Sequence, residues 1–257
     1  MTTLSERALA YLREGPRPSL DIVRDVLCLE RANLAVAERL VTALLGADPR
    51  FAFDLEGRWS VVPEPAWLGV PMNEVRFAVV DVETTGMRAR GDDRVTEIAV
   101  VHVQGPRVEL AFESLVNPGR PIPWRIAQLT GITDRMVEDA PRFETIADRV
   151  VAALAGRVFV AHNARFDWGF VRAEIARAQD FELRMPKLCT VRLVRRLVPE
   201  LERRSLDSVM WHFGLETDRR HRASGDAVVT ARVLLRLLAR ARDLGASTWQ
   251  DLQPMGQ

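Results

Sequence analysis

The chain has 257 residues, of which 47% are apolar, and its formal net charge is +1. A chain of this length and composition can bury one full hydrophobic core together with a smaller second one. Its apolar runs all fall short of the roughly 18 residues that a membrane-spanning helix needs, and the N-terminus does not resemble a signal peptide. These properties argue against a membrane or secreted protein and predict a folded protein in the cytoplasm.

Cysteine chemistry is not indicated by the sequence. The chain has two cysteines, Cys28 and Cys189, which are too few for a disulfide framework or a thiolate zinc site. We therefore interpret both as small buried hydrophobic side chains.

Three short helices and a hairpin are predicted at the start of the chain. Thr3–Glu6 forms a capping box for the first helix, and Ser19 and Asn33 are predicted to cap the second and third. Two β-prone segments, residues 51–53 and 58–62, predict a hairpin after them. The order of three helices and a hairpin resembles a winged helix.

The third helix has few of the side chains that a DNA-reading helix needs. Between Leu34 and Gly46 its one cation is Arg39, which stands beside Glu38. A recognition helix presents polar side chains to the major groove and basic ones to the DNA backbone. We therefore interpret this helix as a protein-contacting or structural element rather than as a DNA reader.

A proline-rich segment separates this module from the rest of the chain. Residues 63–71 contain three prolines, which forbid a continuous helix or a central strand. The segment is therefore predicted to be a linker. We predict two domains, a small winged-helix-like one at residues 1–70 and a larger one at residues 71–257.

After this segment the pattern changes from helices to strands. Three β-branched or apolar stretches predict a meander of strands at residues 77–82, 94–103 and 108–116, and a later short strand is predicted at 157–161. Helices are predicted at residues 125–129, 144–154, 165–178, 191–197, 206–213 and 225–242. Strands first and helices after, with one later strand, predict an α/β domain with a mixed sheet flanked by helices.

Fifteen residues, 243–257, follow the last predicted helix. Residues 250–255 weakly resemble a sliding-clamp-binding peptide. A frayed terminus is the preferred interpretation.

Two acids lie at the end of the apolar run that begins at Phe77. Asp81 and Glu83 are two residues apart, so on a strand both carboxylates point to the same face. Two adjacent acids at the end of a buried strand resist desolvation and need a positive partner, which a divalent cation would supply. A solvated strand end is the alternative explanation.

Two further acids each stand at the start of a helix. Asp167 follows the short strand at residues 157–161, and Asp226 opens the last long helix five residues after His221. An acid stabilises a helix N-terminus by a few tenths of a kcal/mol to about 1 kcal/mol. Neither acid alone therefore requires a function, and neither does a single surface histidine.

The joint occurrence of these motifs, in this order, resembles a known family. Residues 81–86 read Asp-Val-Glu-Thr-Thr-Gly, residues 162–167 read His-Asn-Ala-Arg-Phe-Asp, and residues 221–227 read His-Arg-Ala-Ser-Gly-Asp-Ala. They resemble the three exonuclease motifs of the DEDDh group, the DnaQ-like 3′→5′ exonucleases that include the proofreading epsilon subunit of bacterial DNA polymerase III. The resemblance covers roughly residues 75–238 and leaves residues 1–70 outside it.

The resemblance implies a ribonuclease H-like sheet and a role for each matching residue. Asp81, Glu83 and Asp226 would hold one metal ion, and Asp81 with Asp167 would hold a second. His221 would be the general base. All five positions match the family in residue type, so nothing in these motifs suggests an inactive enzyme.

The two threonines of the first motif are candidate substrate-binding residues. The resemblance implies that Thr84 and Thr85 touch the terminal nucleotide. Capping of the strand end by their side chains and backbone is an equally good explanation.

The chemistry of these residue types agrees with the implied roles. Ligands that are all oxygen favour Mg²⁺ or Mn²⁺ over zinc. Two such ions about 3.5–4 Å apart can activate a water and stabilise the leaving 3′ oxygen of an in-line displacement. A histidine with an ordinary pKa of about 6.5 can take the proton of that water near neutral pH. The predicted products are nucleoside 5′-monophosphates.

Three functions agree with these observations. The first is a DNA 3′→5′ exonuclease in proofreading or repair, acting on a single strand or a 3′ terminus, with a DNA polymerase as a candidate partner. The second is a 3′→5′ exoribonuclease, because recognition of the 2′-OH is not encoded in these motifs. The third is a non-catalytic metal-binding module whose N-terminal domain recruits a partner.

Overall fold

The computed structural model describes most of the chain, namely residues 3–46, 48, 50–54, 56–61, 69–179, 183–218 and 220–256. The chain divides into two compact units, residues 1–68 and 69–257. Each unit has a hydrophobic core of its own. Residues 63–68 of the predicted linker, and residue 62 of the predicted hairpin, lie outside the described residues.

The described part of the first unit contains three helices and a small antiparallel sheet. The helices are α1 (Leu4–Leu12), α2 (Ser19–Asp25) and α3 (Leu34–Leu45), and the strands are β1 (Arg17–Pro18), β2 (Phe51–Phe53) and β3 (Arg58–Val61). The predicted hairpin is present as β2 and β3, and β1 pairs with the other edge of β3. The order of three helices before a hairpin is therefore as predicted, and the winged-helix assignment itself stays a prediction.

Side-chain caps begin two of the three helices, as predicted. The side chain of Thr3 accepts a hydrogen bond from the backbone nitrogen of Glu6 at 3.2 Å. The side chain of Asn33 accepts one from the backbone nitrogen of Val36 at 2.9 Å. Each cap satisfies a backbone donor that the first turn of a helix leaves without a partner.

The prediction that Ser19 caps the second helix is wrong. Helix α2 begins at Ser19 itself, with Pro18 at the cap position and no side-chain cap bond. The Ser19 hydroxyl is buried and accepts a hydrogen bond from the indole nitrogen of Trp59 at 3.2 Å. A buried indole N–H needs an acceptor, and this need places the serine side chain in the core rather than at the helix end.

The described part of the second unit is built on one mixed sheet of five strands. These are β4 (Phe77–Thr84), β5 (Val95–Gln104), β6 (Arg107–Leu115), β7 (Val158–Ala161) and β8 (Lys187–Cys189), and their spatial order is β6-β5-β4-β7-β8. The meander β4-β5-β6 is antiparallel, whereas β7 and β8 continue the sheet in parallel with β4. The predicted mixed α/β sheet is confirmed, and β8 is an additional strand that the sequence analysis missed.

Helices cover the sheet. They are α4 (Trp124–Thr130), α5 (Asp134–Val137), α6 (Phe143–Leu154), α7 (Ala164–Gln179), α8 (Thr190–Leu197), α9 (Leu206–Phe213), α10 (Ala223–Asp243) and α11 (Trp249–Gly256). The long helix α10 packs against β4, β5 and β6, and α7 packs against α6, β4 and β7. Of the helices that the structure describes, none combines the length and apolarity that crossing a membrane requires.

The prediction that both cysteines are buried is wrong for Cys28. Cys28 is exposed, and Cys189 is partly exposed. Cys28 follows α2 in a left-handed conformation with φ 59°, and its sulfur accepts a hydrogen bond from Arg7 at 3.6 Å. The turn that ends α2 directs this side chain out of the core.

The C-terminal residues are folded, which corrects the prediction of a frayed terminus. Residues 249–256 form α11, which packs on α8 and β8. Trp249 is fully buried, and its ring centroid lies 6.4 Å from that of Phe77 on β4. The backbone nitrogen of Met72 donates to the carbonyl of Ser247 at 2.9 Å. The terminus is therefore part of the core of the second unit.

The burial of Trp249 predicts a large contribution to stability. We expect Trp249→Ala to lower the free energy of unfolding by about 3–5 kcal/mol, because it leaves a cavity in a packed core. Trp211, which is 84% exposed, provides a matched control, and Trp211→Ala should change stability by less than about 0.5 kcal/mol. Urea denaturation of both variants tests the difference, and equal midpoints would contradict the role of α11.

Candidate active site

The first two predicted ligands lie on the central strand of the sheet. Because β4 is flanked by β5 and β7, its first four residues are all buried. From Asp81 onward burial alternates, with Asp81 and Glu83 partly exposed and Val82 buried between them. This alternation puts the two acids on one face of the strand.

The third acid reaches the same place from α10. Asp226 lies in the first turn of α10, which packs on β4 and β5. One carboxylate oxygen from each of Asp81, Glu83 and Asp226 lies within 4.8 Å of the other two. The structure thus brings together three of the four predicted ligands in one group.

The fourth acid lies against the backbone of β4. Asp167, in the first turn of α7, is 3% exposed. Its Oδ1 accepts a hydrogen bond from the backbone nitrogen of Val82 at 3.2 Å, and Val82 lies between Asp81 and Glu83. Asp167 is therefore next to the group formed by the other three acids.

Burial and mutual repulsion raise the pKa values of these acids. Burial raises the pKa of Asp81 well above its ordinary value, and the negative charges of Asp167 and Glu83 raise it further. Burial raises the pKa of Glu83 to about 7, and repulsion by Asp226 adds to this shift. Burial also raises the pKa of Asp167. Gathered like charges of this kind hold protons unless a cation stabilises the ionised forms.

The two carboxylate oxygens of Asp226 differ in their hydrogen bonds. Its Oδ2 accepts a hydrogen bond from Arg220 and another, at 3.3 Å, from the backbone nitrogen of His221. Its Oδ1 is buried and has no hydrogen-bond partner among the described residues. A buried oxygen left unpaired costs about 1–3 kcal/mol. An all-carboxylate set with one unpaired buried oxygen fits a hard divalent cation such as Mg²⁺ or Mn²⁺.

The predicted base lies on the loop that leads into α10. His221 is exposed, and its backbone adopts a left-handed conformation with φ 59°. Non-glycine residues seldom adopt this conformation, and those that do often occur at functional sites. The structure brings the His221 backbone into contact with Asp226 and leaves the imidazole accessible to solvent.

The two threonines of the first motif are bonded within the protein. Thr84 and Thr85 are both buried. The Thr84 hydroxyl donates to the carbonyl oxygen of Gly86 at 2.5 Å, and the Thr85 hydroxyl accepts from the backbone nitrogen of Arg94 at 3.0 Å. These bonds support the capping explanation, and contact with a nucleotide stays a prediction.

An ion pair with a buried carboxylate lies beside the site and was not predicted from the sequence. Glu97 on β5 pairs with Glu83 of β4 in the sheet register and is 5% exposed. Its carboxylate accepts hydrogen bonds from Arg222, the shortest at 2.6 Å, and from the backbone nitrogen of Ala223 at 2.9 Å. The pair fixes the start of α10 on the sheet. An acid inside an otherwise apolar strand was the signal that could have revealed it.

The histidine of the second motif has a structural environment. Both ring nitrogens of His162 are hydrogen-bonded, one to the Thr190 hydroxyl and the other to the carbonyl oxygen of Arg204, each at 2.9 Å. Burial lowers its pKa. This histidine holds the turn between β7 and α7 and thereby the position of Asp167.

Comparison with known proteins gives a consistent result. The family model RNase_T, described as an exonuclease, matches residues 78–234. The 3′-5′ exonuclease DinG of Bacillus subtilis is 39% identical over 187 residues, which are 72% of this chain and 20% of that protein. The DNA polymerase III subunit epsilon-like protein of Rhodobacter capsulatus is 39% identical over 204 residues, which are 77% of this chain and 28% of that protein. The chain therefore spans less than a third of either relative.

A solved structure shares the fold of the second unit. Exonuclease X in complex with 5′ overhanging duplex DNA superposes with a TM-score of 0.55 and 27% sequence identity. The similarity covers 70% of this chain and 98% of that one. In contrast to the two curated relatives, this protein is matched along nearly its whole length.

Proposed function

The chain belongs to the exonuclease family whose model it matches over residues 78–234, and from this premise we propose that it removes nucleotides one at a time from the 3′ end of DNA. The resemblance to DnaQ-like exonucleases carried by the three motifs is confirmed by this match, as is the ribonuclease H-like sheet. The observation that carries the proposal is the group of carboxylates from Asp81, Glu83 and Asp226, with Asp167 beside it.

In this proposal the four acids hold two divalent cations, Mg²⁺ or Mn²⁺. Asp81, Glu83 and Asp226 would hold one ion, and Asp81 and Asp167 would hold the other. The chemistry that such ions would supply there is activation of a water and stabilisation of the charge on the phosphate and the leaving 3′ oxygen. His221 accepts the proton of the attacking water, a step that its solvent-accessible loop position favours. Thr84 and Thr85 remain proposed contacts of the terminal nucleotide.

The names of two similar proteins support DNA as the proposed substrate. Exonuclease X was solved with duplex DNA, and one relative is similar to a DNA polymerase III subunit. The polymerase III-like relative supports a proofreading or repair role with a polymerase as partner, and a location in the cytoplasm stays a prediction. RNA is the alternative substrate.

Digestion of a labelled oligonucleotide tests the reaction. We expect a 5′-labelled single-stranded DNA to be shortened stepwise from its 3′ end in Mg²⁺, with release of nucleoside 5′-monophosphates. The ladder should disappear in EDTA and in Asp226→Asn, because both remove cation binding. Asp218→Asn, which changes an exposed acid of the preceding loop, is the matched control. An RNA of the same sequence is run in parallel, and faster trimming of RNA would reassign the substrate.

Substitution of the proposed base tests its role. We expect His221→Ala and His221→Asn to lower turnover by about 10²-fold or more, the loss typical of a missing general base. The asparagine variant is informative because Asn tolerates the left-handed backbone that this position adopts. Metal affinity, measured by calorimetry with Mn²⁺, should be retained. His212→Ala on α9 is the control, and an unchanged rate in both His221 variants would refute the assignment.

The N-terminal unit is proposed to contact a protein partner rather than DNA. Helix α3 exposes the apolar side chains Leu34, Val36 and Leu40, and the cation among its residues is Arg39. Exposed apolar side chains on a helix suit a protein contact better than a phosphate backbone.

Removal of residues 1–68 tests the separation of the two units. Because residues 69–257 form a compact unit with its own core, we expect them to fold alone and to keep the turnover of the full chain on a short oligonucleotide. Circular dichroism and the laddering assay measure both properties. Loss of folding would mean that the units depend on each other, and loss of turnover alone would assign substrate binding to the first unit.

A further inference from the structure

Arg220 forms two ion pairs that connect α9 with α10. Its Nε donates to Oδ1 of Asp207 on α9 at 2.6 Å, and its Nη1 donates to Oδ2 of Asp226 on α10. The side chain of Asp207 is 68% exposed, whereas that of Asp226 is 9% exposed. Arg220 thus links a carboxylate at the surface to one inside the acidic group.

The bonds of Arg220 leave one oxygen of Asp226 free. Arg220 and the backbone nitrogen of His221 both donate to Oδ2, while Oδ1 is buried without a partner in the described part of the chain. A cation at Oδ1 and the guanidinium at Oδ2 therefore do not compete for the same oxygen. The arginine can stay in place when a metal ion binds.

Fixing Oδ2 also fixes the direction of Oδ1. The terminal torsion of an aspartate is broad, so an unrestrained carboxylate can present either oxygen in many orientations. Donors behind a coordinating side chain restrict this freedom, and their loss commonly weakens metal binding by 10- to 100-fold. Arg220 is suited to the task because its planar guanidinium holds its donors in a rigid fork.

From this geometry we propose that Asp207 and Arg220 form a positioning relay that orients Asp226 as a metal ligand. Asp207 holds Arg220, and Arg220 holds Asp226 with Oδ1 directed toward the cation. Both are positioning residues, because they act through Asp226 and not on the substrate. The inference rests on the metal site of the proposed function and adds two residues that the three motifs do not assign a role.

Charge and orientation have opposite effects on metal binding, and this opposition makes the relay testable. A guanidinium beside the site repels a divalent cation, so loss of its charge alone would tighten binding. Loss of orientation would weaken it. Arg220→Lys keeps the charge, but a single ammonium cannot reproduce the rigid bridge between two carboxylates.

Calorimetric titration of the full chain with Mn²⁺ is the test. We expect Arg220→Lys to weaken Mn²⁺ binding by at least about tenfold. Asp207→Asn should also weaken it, and because Asp207 is exposed this variant is expected to fold normally. The matched control is Asp218→Asn, which removes the same charge from an exposed position in the loop before Arg220 and should leave the affinity unchanged.

The double variant separates a relay from two independent effects. If Arg220 and Asp207 act as one unit, Asp207→Asn should weaken binding no further in the Arg220→Lys background. Additive losses would overturn the relay, as would wild-type affinity in Arg220→Lys or equal losses in Asp207→Asn and Asp218→Asn. If the wild-type chain itself binds no Mn²⁺, that result contradicts the proposed metal site, and with it the relay. If Arg220→Lys does not fold, the comparison of Asp207→Asn with Asp218→Asn decides.

Discussion

The second unit is organised around negative charges gathered at the end of a buried strand. Carboxylates repel one another and resist desolvation, so they can be held together only if the surrounding structure is rigid and a positive charge compensates them. Burial and mutual repulsion accordingly raise the pKa values of Asp81, Glu83 and Asp167. In the protein alone, protons and the guanidinium of Arg220 provide part of the compensation, and divalent cations would provide the rest.

Two ion pairs, each with a buried carboxylate, hold the helices that bring acids to this strand. Glu174 of α7 bonds Arg94 and the backbone nitrogen of Val95, at the start of β5. Glu97, also near the start of β5, bonds Arg222 and the backbone nitrogen of Ala223, at the start of α10. The helices that present Asp167 and Asp226 are therefore each tied to the strand next to β4. Their first turns also favour a carboxylate through the helix dipole.

The sequence predicted those parts of the fold that depend on local patterns. Long apolar strands and periodic helices were found close to their observed bounds, and spacing alone put Asp81 and Glu83 on one face. The misses depend on contacts between distant residues. Strand β8 has three residues, too few to show a periodicity. Helix α11 is held by the burial of Trp249 near Phe77 of β4, which is distant in the sequence. Neither Ser19 nor Arg220 carries a local signal for its partner.

The third motif, residues 221–227, also has structural roles, because its residues fix the start of α10. Its arginine, Arg222, anchors α10 to Glu97, while its acid, Asp226, is fixed by the Arg220 side chain and the His221 backbone. At His221 the backbone is left-handed, and its nitrogen donates to the carboxylate of Asp226 in the first turn of α10. A ligand restrained from two sides loses little conformational entropy when it binds a cation. The His221 side chain, the proposed base, lies at the surface, so one residue in a left-handed conformation contributes to both the proposed metal site and the proposed base.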